Sequence, residues 1–230
     1  MADLDELLAT VPLLAALDPE ARAGLARRVG RSQVSRTEVV FHEGEEGEAV
    51  YLVLEGKVKI TRPTGDGREN LLAVLGPGEV FGELSLFDPG PRTATATALT
   101  DLDLATLSHD ELRPWLRTRP DAAELLLRVL ARRLRRTNSA LADLVFVDVP
   151  GRVAGALLDL ATRFGVPVAG SEGTLRVDHG LTQEELAQLV GASRETVNKA
   201  LADFAARGWL GLEQRAVLLH DRERLERRAR

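Results

Sequence analysis

The chain has 230 residues, 44% of them hydrophobic and 28% charged, the make-up of a globular protein that buries a real core. It has no cysteine, which excludes a disulfide scaffold, a thiolate zinc site, a Cys-ligated iron–sulfur cluster and a cysteine nucleophile. The net charge of −5 is uneven, with −9 on residues 1–110, +3 on 111–150 and +1 on 151–230, which speaks against a nonspecific nucleic-acid coat and for two jobs in one chain. His42, His109, His179 and His220 are never closer than 41 residues, so no local His-rich metal motif exists. No apolar run reaches the roughly 18 residues of a membrane span, and no signal peptide is expected at the start. The expectation is a cytoplasmic protein that works without redox chemistry.

Residues 4–29 carry Leu and Val at helical spacing, broken by Pro12 and by Asp18-Pro19. From Ser32 to Leu107 the pattern is β-like. Short runs at Glu38–His42, Val50–Leu54, Lys57–Thr61, Asn70–Leu75, Thr93–Leu99 and Leu102–Leu107 alternate with turn signals such as Thr64–Gly67 and Asp88–Pro91. That spacing predicts an antiparallel barrel or sandwich. Asp110–Arg117 reads as one or two helical turns, and Pro120 suits the first position of a longer helix.

Along that helix Ala123, Leu127, Leu130, Leu134, Thr137, Leu141 and Leu144 recur at intervals of 4 and 3. Such a seam suits two helices packed side by side, or one helix laid on its own domain. Thr137 is its only polar member, and the flanking run Arg132–Arg136 reads as a solvated face. Phe146–Gly151 looks like a joint, with Asp148 able to cap a helix that has Pro150 in its first turn. Arg152–Arg163 is then amphipathic through Val153, Ala156, Leu157 and Leu160. Turns and short strands follow over Phe164–His179.

Thr182-Gln-Glu-Glu185 is a capping box that opens a helix. Gly191 ends this helix and Ser193 caps the next, whose buried stripe is Val197, Ala200, Leu201 and Phe204. Small Ala187, Gly191 four later and Val197 six beyond form the helix-turn-helix arrangement. Arg194, Glu195, Asn198 and Lys199 point away from the stripe, at the end that enters a major groove in this motif. An αα-hairpin with a charged outer face is the plain alternative. Trp209–Leu212 and Ala216–His220 read as two strands about a tight turn, either a wing or a packing edge.

Within the β region, Gly76–Ala98 combines a Gly-rich turn, an exposed acid at Glu83 and an Arg92-Thr93 pair set off by prolines. Arg92, the Thr93 hydroxyl and free backbone N–H groups could clamp a phosphate, with Glu83 accepting from a ribose hydroxyl. A surface loop with a stray salt bridge would also fit. The order Gly82-Glu83-Leu84 … Arg92-Thr93-Ala94, with the long helix and Leu181–Leu210, resembles the CRP/FNR family of transcription regulators over roughly residues 10–220. Ser193–Val197 (Ser-Arg-Glu-Thr-Val) and Phe146–Arg152 (Phe-Val-Asp-Val-Pro-Gly-Arg) resemble its cAMP-responsive members.

The resemblance implies an α+β chain in three parts. Residues 1–109 form a cyclic-nucleotide-binding double-stranded β-helix (jelly roll), 110–146 a dimerisation helix and 147–230 a winged helix-turn-helix. It implies that Gly82, Glu83 and Leu84 hold the ribose, Arg92 and Thr93 the cyclic phosphate, and Leu72 and Leu75 the base. Thr137 and Asn138, one from each subunit, would meet the adenine. Thr93 and Asn138 each stand where the family often has Ser, and Lys199 where it often has Arg. Thr182, Ser193, Arg194, Glu195, Asn198 and Lys199 are the implied DNA-binding residues. The implied ligand is cAMP, with no metal, haem or iron–sulfur cluster. The implied partners are a palindromic double-stranded operator, a second copy of the chain and RNA polymerase, with no membrane. No catalytic cluster or P-loop occurs in residues 147–230, so an enzyme is not expected. A ligand-independent or cGMP-responsive regulator is the alternative.

Overall fold

Eight strands take up the β-like run: β1 (Gly30–Val34), β2 (Val39–Phe41), β3 (Ala49–Glu55), β4 (Val58–Pro63), β5 (Glu69–Leu75), β6 (Val80–Phe81), β7 (Thr95–Ala98) and β8 (Leu102–Ser108). The computed structural model describes residues 11, 14, 17–65, 69–171 and 173–230. The helical signal expected before Val11, and the second half of the Thr64–Gly67 turn, lie outside them. The chain divides into two compact units, residues 1–135 and 136–230.

In the first unit the strands form two antiparallel four-stranded sheets, ordered β1-β8-β3-β6 and β2-β7-β4-β5. Period-two alternation decides which face each side chain meets. In β3, Val53 points to the interior shared with Phe41, Val58, Phe81, Ala96 and Leu104. Its neighbours Val50 and Leu52 point outward, to a second apolar cluster built with Leu25, Leu112, Trp115 and Leu125. Three helices supply that cluster: α1 (Pro19–Ala26), α3 (His109–Thr118) and α4 (Pro120–Phe146), with the short α2 (Leu84–Phe87) between β6 and β7. Asp18 caps α1 by accepting from the Ala21 amide at 2.7 Å. Ser108 caps α3 from the Glu111 amide at 3.3 Å. Pro120 opens α4, where its missing N–H costs nothing.

The second unit takes the last turns of α4 and then α5 (Val149–Phe164), β9 (Gly165–Pro167), β10 (Leu175–Asp178), α6 (Gln183–Leu189), α7 (Arg194–Ala206), β11 (Leu210–Glu213), β12 (Ala216–Leu219) and α8 (Arg222–Arg228). Its sheet runs β11-β12-β10-β9, so the β11–β12 hairpin is half of a four-stranded sheet. Val153, Leu157 and Leu160 of α5 are buried as the amphipathic pattern requires, while Ala156 is half-buried and Ala154 joins the core.

Helix α8 has no signal in the sequence, because Arg-Glu-Arg-Leu-Glu-Arg-Arg reads as a solvated run. Only Leu225 enters the core, and it is fully buried. The helix is docked against the start of α5. Gly151 lets the Arg228 carbonyl approach, since a Cβ there would lie 3.1 Å from it. Arg228 donates to Asp148 at 2.6 Å, and the other Asp148 oxygen caps α5 by accepting from the Gly151 amide at 3.0 Å. The Arg228 hydrogen bond, followed by the cap, holds the Asp148 carboxyl below its ordinary value. A depressed carboxyl contributes stability that is full above its unfolded pKa and is lost as pH falls through its folded one.

Replacing Arg228 with Ala should therefore raise the Asp148 pKa towards 3.8, read by NMR titration of the side-chain carboxyl. The loss of stability at neutral pH should stay under about 1 kcal/mol, because the pair is largely exposed.

Candidate anion cassette and nucleic-acid interface

The first site is built where β6 turns into α2. Gly82 sits at φ +74°, a conformation side chains resist, and a Cβ there would come within 2.7 Å of Arg92 Nη1. Gly47 serves the same closeness from the neighbouring loop, since a Cβ would overlap the Ser85 hydroxyl. That loop also braces the Arg92 backbone, whose N–H donates to the Glu45 carbonyl at 2.7 Å.

Arg92 is 6% exposed. Its Nη1 donates to the Gly82 carbonyl at 2.8 Å and the Ser85 hydroxyl at 3.1 Å, and its Nη2 to the Ala49 carbonyl at 2.8 Å. All three acceptors are neutral, and Nε has no partner. Among the described residues no carboxylate makes an ion pair with it. Burial pushes the guanidinium below its usual pKa, with the Tyr51 phenol beside it acting the other way. Thr93, next in the chain, is exposed.

Glu83 is 1% exposed, not the surface acid that the loop-like sequence suggests. One of its oxygens accepts from Arg133 Nη1 at 2.5 Å, and Arg133 Nη2 also donates to the Val80 carbonyl at 2.5 Å. The other oxygen is buried without a hydrogen-bond partner. Arg133 thus leaves the expected solvated face, because a buried carboxylate needs a cation more than a surface arginine needs water. Nothing in the run Arg132–Arg136 marks out the one member that turns inward. Arg113 of α3 adds a second long-range tie, donating to the Leu86 carbonyl of α2 at 2.9 Å.

The cassette thereby brings Gly82, Glu83 and Arg92 together with Arg133 and Ser85, neither of which the sequence had singled out. Leu75 is buried in the roll interior, whereas Leu72 and Leu84 are about half exposed. Thr137 and Asn138 belong to the second unit and are exposed on α4.

The second site lies on α6 and α7. The capping box forms as expected, with the Thr182 hydroxyl accepting from the Glu185 amide at 3.2 Å and the Thr182 amide donating to Glu185 at 2.8 Å. Gly191 makes the turn at φ +63°, and a Cβ there would overlap Leu144. The Ser193 hydroxyl caps α7 through the Thr196 amide at 3.2 Å. Val197, Ala200, Leu201 and Phe204 are buried, which turns Arg194, Glu195 and Lys199 to solvent.

Lys199 pairs with Glu195 at 2.7 Å along the helix. Asn198 departs from the expectation: it is half-buried, and its amide oxygen is sealed in without a partner. Arg152 of α5 locks the turn to the joint, donating to the carbonyls of Val190 at 2.8 Å, Gly191 at 3.2 Å and Val147 at 2.8 Å. Among the described residues no group of three or more His, Asp or Glu could hold a metal ion, and no helix is long and apolar enough to cross a membrane.

Known proteins place these two sites in one context. Residues 31–119 match the model of the cyclic nucleotide-binding domain, and residues 151–228 that of the Crp-like helix-turn-helix domain. A CRP-like cAMP-activated global transcriptional regulator of Mycobacterium tuberculosis is 57% identical over 99% of this chain and 100% of its own. The solved structure of FixK2 from Bradyrhizobium japonicum superposes with a TM-score of 0.75 at 26% identity, covering 86% of this chain and 96% of that one. The c-di-GMP responsive global regulator CLP of Xanthomonas campestris does so with a TM-score of 0.71 at 29% identity, covering 88% and 99%. With the cyclic nucleotide-binding domain model matched in one unit, the Crp-like helix-turn-helix model in the other and this likeness along its whole length, the chain belongs to the CRP/FNR family of DNA-binding transcription regulators.

Proposed function

We propose that the chain is a cAMP-responsive homodimeric regulator, with residues 1–109 as the nucleotide-binding roll, 110–146 as the dimerisation helix and 147–230 as the reader of DNA. The observation that carries the ligand is the pairing of two unfinished buried groups in one cassette. Arg92 is a buried cation with neutral partners, and Glu83 is a buried acid with one oxygen unused. A cyclic phosphate ester of a ribose answers both. Its anion takes charge-assisted hydrogen bonds from Arg92 and the Thr93 hydroxyl. Its 2′-hydroxyl donates to Glu83, which Arg133 holds in place. The close approach at Gly47 and Gly82 lets the backbone of the cassette line the same space.

Leu72, Leu75 and Leu84 are the apolar groups assigned to the base and ribose, and Thr137 and Asn138, one from each subunit, are assigned to the adenine. The named M. tuberculosis relative, cAMP-activated, supports cAMP over other cyclic nucleotides. The seam of α4 supports a dimer. Leu127, Leu134, Leu141 and Leu144 stand 50–61% exposed along one heptad stripe, a patch that a second identical helix would bury.

Each subunit then presents α7 to a major groove. Two half-sites roughly 34 Å apart are the geometry that a twofold dimer reads, so the target is a palindrome. Arg194 can make a bidentate contact to guanine and Glu195 can accept from cytosine N4. Lys199 lacks the guanidinium fork and is released from Glu195 to a phosphate. Thr182 and Ser193 complete the DNA face from the two helix starts, and Asn198, half-buried one turn into α7, would meet DNA only through its amide nitrogen. Such a regulator works in the cytoplasm with RNA polymerase as its further partner, and needs no metal, haem or iron–sulfur cluster.

Calorimetric titration tests the ligand. The chain should bind cAMP more tightly than cGMP, and Arg92→Ala should lose about 10- to 100-fold in affinity while remaining dimeric. Unchanged affinity would remove the phosphate from this cassette. The double variant Leu134→Lys/Leu141→Lys should sediment as a monomer with its fold intact, and a dimer of normal strength would show that the seam is not the interface.

A further inference from the structure

The chain is poor in aromatics, with six Phe, two Trp and one Tyr, yet three of these nine rings pack together and two of them face the Arg92 guanidinium. Phe41 from β2, Tyr51 from β3 and Phe81 from β6 lie with ring centroids 5.8, 5.9 and 5.1 Å apart. The Arg92 Cζ stands 4.2 Å above the Phe41 ring and 5.7 Å from that of Tyr51. Phe41 and Phe81 are buried in the roll interior, so the platform is fixed by both sheets.

A buried guanidinium is costly unless something answers its charge. A carboxylate would do so, but an incoming anion would then have to displace it. The face of an aromatic ring attracts the cation through its quadrupole and leaves the charge uncancelled. The carbonyl and hydroxyl acceptors of Gly82, Ser85 and Ala49 act in the same way, while Glu45 and Glu83 act on Arg92 only from a distance.

We infer that Phe41 and Tyr51 are positioning residues for ligand binding, a π platform that holds the Arg92 cation in place and undischarged for the anionic group of the ligand. The inference rests on the reading of the cassette as a cyclic-phosphate site. It separates from an ordinary core role because its effect passes through the phosphate alone.

The test compares cAMP with adenosine, which has the base and ribose but no phosphate, on the full chain and on variants of the two rings. Phe41→Leu keeps an apolar side chain and removes the π face. It should weaken cAMP by about three- to tenfold and leave adenosine unchanged. Phe41→Tyr, which keeps the ring, should bind cAMP within about twofold of the parent chain. Should Phe41→Leu fail to fold, Tyr51→Leu decides by the same comparison, set against Tyr51→Phe, which keeps the ring and loses only the phenol that also acts on Arg92. Equal cAMP affinity in the Leu variants, or equal losses for cAMP and adenosine, would overturn the platform and leave the cassette standing. A parent chain that binds no cAMP would overturn both.

Discussion

The first unit is organised around a cation that is buried without an anion. Arg92 stands at the junction of both sheets, held by backbone carbonyls, a serine hydroxyl and ring faces. Much of the surrounding sequence is what that placement requires. Gly82 and Gly47 make room, Ser85 supplies an acceptor, and the loop at Glu45 pins the backbone. The acid of the cassette does not neutralise this cation. Glu83 is answered instead by Arg133, 50 residues later in the chain. Two opposite charges are thus separately engaged, each with an atom left unpartnered, the capacity that the proposed sugar phosphate would use. Desolvation makes that capacity strong, since an unmet buried polar group costs about 1–3 kcal/mol.

The second unit fastens the joint after the long helix to the helix-turn-helix. Arg152 fastens the turn between α6 and α7 to the Val147 carbonyl. Leu144, at the end of the long helix, fills the space that Gly191 leaves open. Asp148 caps α5 and is itself held by Arg228 from the last helix. These ties join Leu144, Val147, Asp148, Gly151 and Arg152 around the joint to Val190, Gly191 and Arg228, the contacts through which the proposed switch would act. Ligand can bias such an element only through unequal affinity for its two arrangements.

What could be read in the sequence divides along the range of the interactions. The helix-turn-helix is legible because its determinants are local: a capping box at Thr182, a left-handed turn at Gly191 and a cap at Ser193 act within a few residues. Most strands are legible through turn signals, but the two-residue β6 and the four-residue α2 are too short to show a period. Glu83 reads as exposed because its burial is decided by Arg133, and Arg133 reads as solvated because its neighbours are identical arginines. Helix α8 is hidden for a similar reason, since one buried Leu225 among charges carries no periodic pattern. The resemblance to the CRP/FNR family supplies the residues of the ligand site. The aromatic platform under Arg92 has no counterpart in that reading, and comes from three strands far apart in the sequence.

If the cassette governs the affinity of α7 for DNA, that affinity must depend on cAMP. Fluorescence anisotropy with a palindromic duplex, selected from a randomised pool, tests it at fixed salt with and without saturating cAMP. In the parent chain cAMP should tighten binding by about tenfold or more. Arg92→Ala should keep the cAMP-free affinity and lose the gain. Equal affinity with and without cAMP in the parent chain would contradict it.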